Sequence, residues 1–143
     1  MNIDIISLMN KVFVYGTLQK EYGNHRWMEN AGGVFLSKAV TVDRYPLIVD
    51  GLPYLIDEKG EGQRVHGEVY EITDIGPLDC LESHPSFYER RVRDVEIENG
   101  AVMSVWVYFL NTKNGMEWQG SSKTYWGSYA EGRGEKKLFL NNN

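Results

Sequence analysis

Residues 87–110 constrain the fold more tightly than any other stretch of the chain. Residues 101–110, AVMSVWVYFL, are apolar at odd and even positions alike. A strand with that pattern has to be covered on both faces, which places it centrally in a sheet or a barrel. The preceding stretch, 87–98, reads as a strongly charged strand, and Asn99-Gly100 between the two is a tight-turn dipeptide. The pair is a hairpin whose second strand is interior.

Residues 11–15, KVFVY, read as another buried strand, ended by Gly16. Residues 34–42 and 45–49 read as strands, 53–56 as a shorter one after the Asp50-Gly51 turn, and 65–72 as an alternating strand. Residues 58–63 form a polar surface turn. Two short helices interrupt this pattern. Residues 24–30 follow an Asn24 N-cap and end at Gly32-Gly33, and residues 74–84 follow an Asp74 N-cap, with Pro77 in the first turn and Pro85 as a stop. Six to eight short strands with few helices predict an α+β, mostly β fold: a small mixed β-barrel or curved sheet with flanking short helices.

At 143 residues, with 42% hydrophobic and 24% charged side chains, the chain is sized and composed as one soluble domain. We expect an N-terminal extension over 1–10, a single domain over 11–130 and a C-terminal tail over 131–143. The expected start is either Met1 or Met9, and the acidic first ten residues do not make a signal peptide. The net charge of −5, with both signs interspersed, gives no reason to expect nucleic-acid or membrane binding. One cysteine, Cys80, precludes an internal disulfide framework and fits a reducing compartment, so a cytoplasmic location is expected.

The second helix carries a conflict. Ile75, Leu78 and Leu81 form an apolar stripe, Glu82 projects into it, and Asp79 stands at its edge. A carboxylate on a buried face is costly unless paired, and such conflicts mark functional sites. Two readings stay open from the helix alone: Glu82 pairs with Arg90, Arg91 or Arg93 or sits at a helix end open to water, or it is a carboxyl with a raised pKa suited to acid–base work near neutral pH. Tyr88, past the Pro85 break, returns toward it as a hydroxyl partner or as an ordinary strand aromatic. Cys80 and His84 share a face, but that face is opposite the stripe and reads as solvent-exposed. His25, His66 and His84 are scattered over different elements and make no metal-ligand set. The turn after the first strand, Tyr15-Gly16-Thr17-Leu18, reads either as an ordinary turn or as a concavity of backbone N–H groups, with Gly16 permitting φ > 0 or close approach of another group.

Taken together, VFVYGTL at 12–18, Asn24-His25, YPL at 45–47, VHGEVY at 65–70 and LDCLESHPSFY at 78–88 resemble the γ-glutamylcyclotransferase-like superfamily. The likeness is greatest to its γ-glutamylamine cyclotransferase branch, through YGTL, the downstream Asn-His and the E-S-x-P-x-x-Y-x-R pattern from Glu82 to Arg90. The resemblance implies a small β-barrel with a cavity at one mouth, and an enzyme that releases 5-oxoproline from a γ-glutamyl amide such as ε-(γ-glutamyl)lysine. Carried onto this chain, it implies Glu82 as the catalytic acid/base and the amides of Gly16, Thr17 and Leu18 as the substrate cradle, with Tyr15 opening the turn. It implies Tyr88, and more loosely Tyr108 and Tyr125, as pocket residues. No metal or organic cofactor is implied. The expected partner is a small γ-glutamyl molecule, not nucleic acid or membrane, bound by a monomer or small homo-oligomer. A γ-glutamyl peptide or biosynthetic intermediate as substrate, a non-catalytic ligand-binding member of the fold, and a Cys80 acyl hydrolase are the alternatives.

Overall fold

A computed structural model describes residues 10–112 and 124–134. Five strands close into a barrel in the order β1-β5-β2-β6-β7. These are β1 (Lys11–Val14), β2 (Val34–Tyr45), β5 (Gln63–Glu71), β6 (Tyr88–Ile97) and β7 (Val102–Leu110). Two further strands, β3 (Leu47–Asp50) and β4 (Leu52–Leu55), form a separate hairpin. Three helices lie among the described residues: α1 (His25–Asn30), α2 (Gly76–Glu82) and α3 (Tyr129–Gly132). None of the described helices is long and apolar enough to cross a membrane.

The apolar runs follow from two cores. Phe13, Val69, Val95, Val105, Val107 and Phe109 fill the barrel, while Val12, Val14, Tyr70, Tyr88 and Tyr108 face outward onto Met28 and Ala31 of the α1 region and Leu78 of α2. Alternation along β1 and β7 therefore sends one set of side chains into each core; β7 is buried on both faces over residues 107–110, whereas Val102 and Ser104 at its start are exposed. The barrel closes where β1 meets β7 in parallel, with Val12 opposite Trp106 and Phe13 opposite Val107. Closure leaves the barrel without a free edge for unwanted pairing.

The charged strand β6 fits this frame because its inward-facing arginines are neutralised by an acid from another element. Asp57 accepts hydrogen bonds from both Arg91 and Arg93, and the Arg93 guanidinium lies over the Phe109 ring at 5.4 Å. The Asn99-Gly100 turn takes the expected form, with Gly100 at φ 88° and Asn99 Oδ1 accepting from Ala101 N at 2.8 Å.

Several expected boundaries are corrected. Residues 34–45 form one long strand, not a strand ending at 42 with another beginning at 45; Pro46, which has no N–H to donate, is the actual break. A bulge between Val40 and Arg44 lets β2 run through. Thr41, fully buried there, accepts from Val65 N at 2.8 Å and donates to Asp43 O at 2.6 Å, replacing ladder bonds lost at the bulge. The second helix spans Gly76–Glu82 with Ile75 at its N-cap, so Asp74 does not cap it but accepts from Gly76 N at 2.9 Å, one residue earlier in register. Helix α3 was not legible as a helix, because the run 125–129 is aromatic with an internal glycine; Ser128 caps it by accepting from Glu131 N. The expected N-terminal extension, much of the 111–123 loop and most of the tail lie outside the described residues.

Thr41→Val keeps the shape of the side chain but leaves the buried Val65 N–H without an acceptor. We expect it to lower unfolding stability by about 1–3 kcal/mol in urea denaturation, with an unchanged m-value.

Candidate active site

A cleft of about 240 Å³ opens at one mouth of the barrel, where the end of β1, the tip of the β3–β4 hairpin and the C-terminal end of α2 converge. Its lining includes Tyr15, Gly16, Thr17 and Leu18 from the turn after β1, and Glu82, Tyr88 and Tyr108 from α2, β6 and β7. Seven of the residues named from the sequence thus surround one small-molecule-sized cleft. Tyr125 is not among them; it packs against Ile48, Ile56 and Leu110.

The turn after β1 is held by its carbonyls. Gly16 O accepts from Gln19 N at 3.1 Å, Thr17 O from Asn24 N at 3.1 Å, and Leu18 O from His25 Nδ1 at 3.0 Å, which sets the histidine tautomer. The amides of Gly16, Thr17 and Leu18 have no partner among the described residues. Three N–H groups left over at the wall of a cleft are the groups that an anion-binding concavity requires. Asn24 has a different task from the expected one: its side chain does not cap α1 but donates to Thr17 Oγ1 at 2.8 Å. The Asn24-His25 pair therefore shapes the turn seven residues upstream of it.

Gly16 is needed for close approach, not for a left-handed backbone, since it is absent from the positive-φ residues. A Cβ at this position would stand 2.5 Å from Pro53 Cγ. Pro53 in turn accepts from the Tyr88 hydroxyl at 2.6 Å. The hairpin tip, the glycine and Tyr88 are therefore one packed unit at the cleft wall. Tyr15 is likewise anchored, donating to Tyr108 O at 2.6 Å, and burial pushes its hydroxyl pKa well above the ordinary value.

Glu82 is half-buried, and no ion pair or side-chain hydrogen bond joins it to any described residue. The arginine-paired alternative is thereby excluded for the described residues. Arg90 is bound to Asp79, with Nε 2.9 Å from Oδ1, and Arg91 and Arg93 are held by Asp57. Loss of hydration alone pushes the Glu82 carboxyl up to about 7. Its charge also reaches the hydroxyls of Tyr15, Tyr88 and Tyr108, contributing to the rise of each after burial itself. A carboxyl that titrates near neutrality exchanges protons with a ligand at little cost in either direction. Cys80 is exposed, on the far face of α2.

Sequence reasoning missed the contributions of Asn24, Leu52 and Pro53 to this cleft. Leu52 is 48% exposed while lining it, which puts it at the entrance. An apolar residue directly after the Asp50-Gly51 turn was the available signal.

A model of the family described as γ-glutamyl cyclotransferase, AIG2-like, matches residues 12–128. Among curated relatives, γ-glutamylaminecyclotransferase B of Danio rerio is 36% identical over 130 residues, 85% of this chain and 68% of that protein. The γ-glutamylaminecyclotransferase of Bos taurus is 41% identical over 95 residues, covering 61% of this chain and 56% of its own length. The crystal structure of an AIG2-like protein from Mus musculus superposes with a TM-score of 0.75 at 31% identity, covering 85% of this chain and 88% of that one.

Gly16→Ala forces the Pro53 ring away from the turn. We expect a loss of about 1–3 kcal/mol in stability together with weaker ligand binding at the cleft, measured by denaturation and by calorimetric titration.

Proposed function

We propose, because the chain belongs to the γ-glutamyl cyclotransferase, AIG2-like family, that it cleaves γ-glutamyl amides and releases 5-oxoproline, with γ-glutamylamines such as ε-(γ-glutamyl)lysine as substrates. The observation that carries this reading is a Glu82 carboxyl with its pKa pushed up to about 7, in a cleft that also presents three amides, all without a partner among the described residues. Two relatives named γ-glutamylaminecyclotransferase support the choice of leaving group.

The chemistry follows from the substrate's own geometry. The glutamyl α-nitrogen is tethered to the γ-carbonyl it attacks, so closing a five-membered ring needs no enzyme nucleophile. Holding the folded-back conformer supplies the proximity contribution. The α-ammonium group has to lose a proton before its nitrogen has a lone pair to attack with, and Glu82 takes it. The new C–N bond forms and the carbonyl oxygen becomes an oxyanion. As the intermediate collapses, Glu82 returns the proton to the departing nitrogen, the old C–N bond breaks, and the vacated Glu82 carboxylate takes the second proton from the ring nitrogen and releases it to the product amine or to solvent. The products are 5-oxoproline and a free amine. The Gly16–Leu18 amides hold the substrate carboxylate or the oxyanion. No step draws on a cofactor.

The test is to incubate the protein separately with ε-(γ-glutamyl)lysine and γ-glutamylalanine and to measure 5-oxoproline by mass spectrometry. Release from the isopeptide is expected; release from the dipeptide alone would move the chain to peptide substrates, and release from neither would sink the enzymatic reading.

Glu82→Gln should lower kcat at least about a thousandfold while leaving the circular dichroism spectrum unchanged. In the unsubstituted enzyme kcat/KM should rise with pH through an acid limb near 7, because the base has to be ionised. The same shift has a stability signature of opposite sign. A carboxyl whose folded pKa lies above its ordinary 4.5 stabilises the fold while protonated, and ionisation destabilises it as pH rises toward 7. Glu82→Gln should therefore be more stable than the parent by about 1–3 kcal/mol at pH 8, discounted for partial exposure, with the difference vanishing below about pH 4 in thermal melts.

A further inference from the structure

Asp79 lies one helical turn before Glu82, is not among the residues lining the cleft, and holds a network of its own. Its Oδ1 accepts from Arg90 Nε at 2.9 Å and from the Tyr108 hydroxyl at 2.6 Å. The Arg90 guanidinium is itself seated 4.4 Å from the centre of the Trp106 ring. Tyr108 is the donor in that hydrogen bond, and the same Asp79 oxygen forms the ion pair with Arg90, so the hydrogen between Asp79 and Tyr108 belongs to Tyr108. The tyrosine lines the cleft and its hydroxyl feels the Glu82 charge, yet its one proton is already given to Asp79, which does not line the cleft. What it offers the cleft is a lone pair.

Tyr88 is in the same condition, its proton given to the carbonyl of Pro53 at 2.6 Å. The turn after β1 has the reverse polarity. The amides of Gly16, Thr17 and Leu18 have no partner among the described residues, and because Asn24 Nδ2 donates to Thr17 Oγ1, the Thr17 hydroxyl retains a proton that no described group accepts. The cleft thus takes its donors from this turn and its acceptors from α2, β6 and β7, with Glu82 among the acceptors.

On the γ-glutamyl reading of the cleft, we infer that Asp79 is a positioning residue: by holding the Tyr108 proton it makes that hydroxyl an acceptor for the substrate's α-ammonium group. An ammonium group has three N–H bonds, and Glu82, Tyr88 and Tyr108 are three acceptors. Once Glu82 has taken one proton, the two tyrosine oxygens hold the remaining two. Were Tyr108 free to turn its hydrogen into the cleft, it would donate to the Glu82 carboxylate and compete with the ligand. Asp79 removes that option without touching the substrate.

The test uses two ligands that do not cyclise: L-glutamate, which carries the ammonium group, and glutarate, which lacks it. Binding of each to the full chain is measured by calorimetry at pH 8, alongside turnover of ε-(γ-glutamyl)lysine. The parent protein should prefer glutamate to glutarate, and Tyr108→Phe and Asp79→Ala should each reduce that preference by about tenfold with glutarate binding unchanged. Asp79→Asn should restore it, since an amide oxygen accepts the same proton. Asp79→Ala added to Tyr108→Phe should cost nothing more. Equal weakening of both ligands, equal losses in Asp79→Ala and Asp79→Asn, or additive losses in the double variant would each overturn the assignment, as would a parent with no preference for glutamate. Should Asp79→Ala not fold, Tyr108→Phe and Asp79→Asn carry the comparison. A parent that shows the preference and its dependence on Tyr108 but releases no 5-oxoproline would remove the proposed reaction and leave the acceptor role of Tyr108 standing.

Discussion

The structure depends on a four-residue strand that has to satisfy two edges at once. β1 pairs antiparallel with β5 along its whole length and parallel with β7 at Val12 and Phe13. Without it the barrel is an open sheet with two unpaired edges and the α1–α2 layer has no floor, because Val12 and Val14 belong to that layer while Phe13 belongs to the barrel interior. A strand this short can manage both only if the side chains after its first residue are apolar and buried. Val12, Phe13 and Val14 meet that demand, with Lys11 left at the rim, and Tyr15 extends it by fastening its hydroxyl to β7 at Tyr108 O. The turn at 16–18 is therefore launched from the best-anchored point in the fold. That is why its amides can stay unpaired without the loop collapsing onto them.

Helix α2 distributes its two acids by a similar logic. Asp79 and Glu82 are three residues apart and lie on adjoining faces, so a single arginine could in principle serve either. The structure commits Arg90 to Asp79 and stacks it on Trp106, while Arg91 and Arg93 alternate to the barrel side and are neutralised by Asp57. The three arginines of β6 are thus all engaged elsewhere. Glu82 is left with desolvation as the sole cause of its shift, which is the condition under which a carboxyl moves toward neutrality instead of away from it. The isolation of Glu82 is built by the pairing of its neighbours.

Much of this was legible in the sequence, for identifiable reasons. The β6–β7 hairpin was readable because a two-residue turn and a run that is apolar on both faces leave one solution. Glu82 stood out because its burial conflicts with its charge. Other features depend on contacts across large sequence separations. That Asn24 would bond to Thr17 and not cap its own helix is set by the direction in which the chain leaves β1, which no helix-start pattern encodes. That Gly16 is required by Pro53, 37 residues away, follows from the hairpin folding back over the turn. The continuation of β2 past Thr41 rests on a hydroxyl replacing ladder bonds, which strand periodicity cannot anticipate. Tyr108 was placed on the interior strand from its apolar surroundings, but its link to Asp79 was not visible until both stood on one outward face.

These long-range bonds share a consequence for the cleft. Tyr15, Tyr88 and Tyr108 each give their hydroxyl proton to a different protein acceptor: a strand carbonyl, a hairpin carbonyl and a helix carboxylate. Three tyrosines around an acidic residue would ordinarily supply donors and hold the carboxylate in its ionised form. Here the donors are turned outward, so burial of Glu82 is not offset and its pKa stays high. The hydrogen bonds that fasten the barrel mouth together are therefore the same ones that keep the carboxyl poised. Proton affinity at Glu82 is then a property of how the strands and the hairpin are joined, as much as of the helix that carries it.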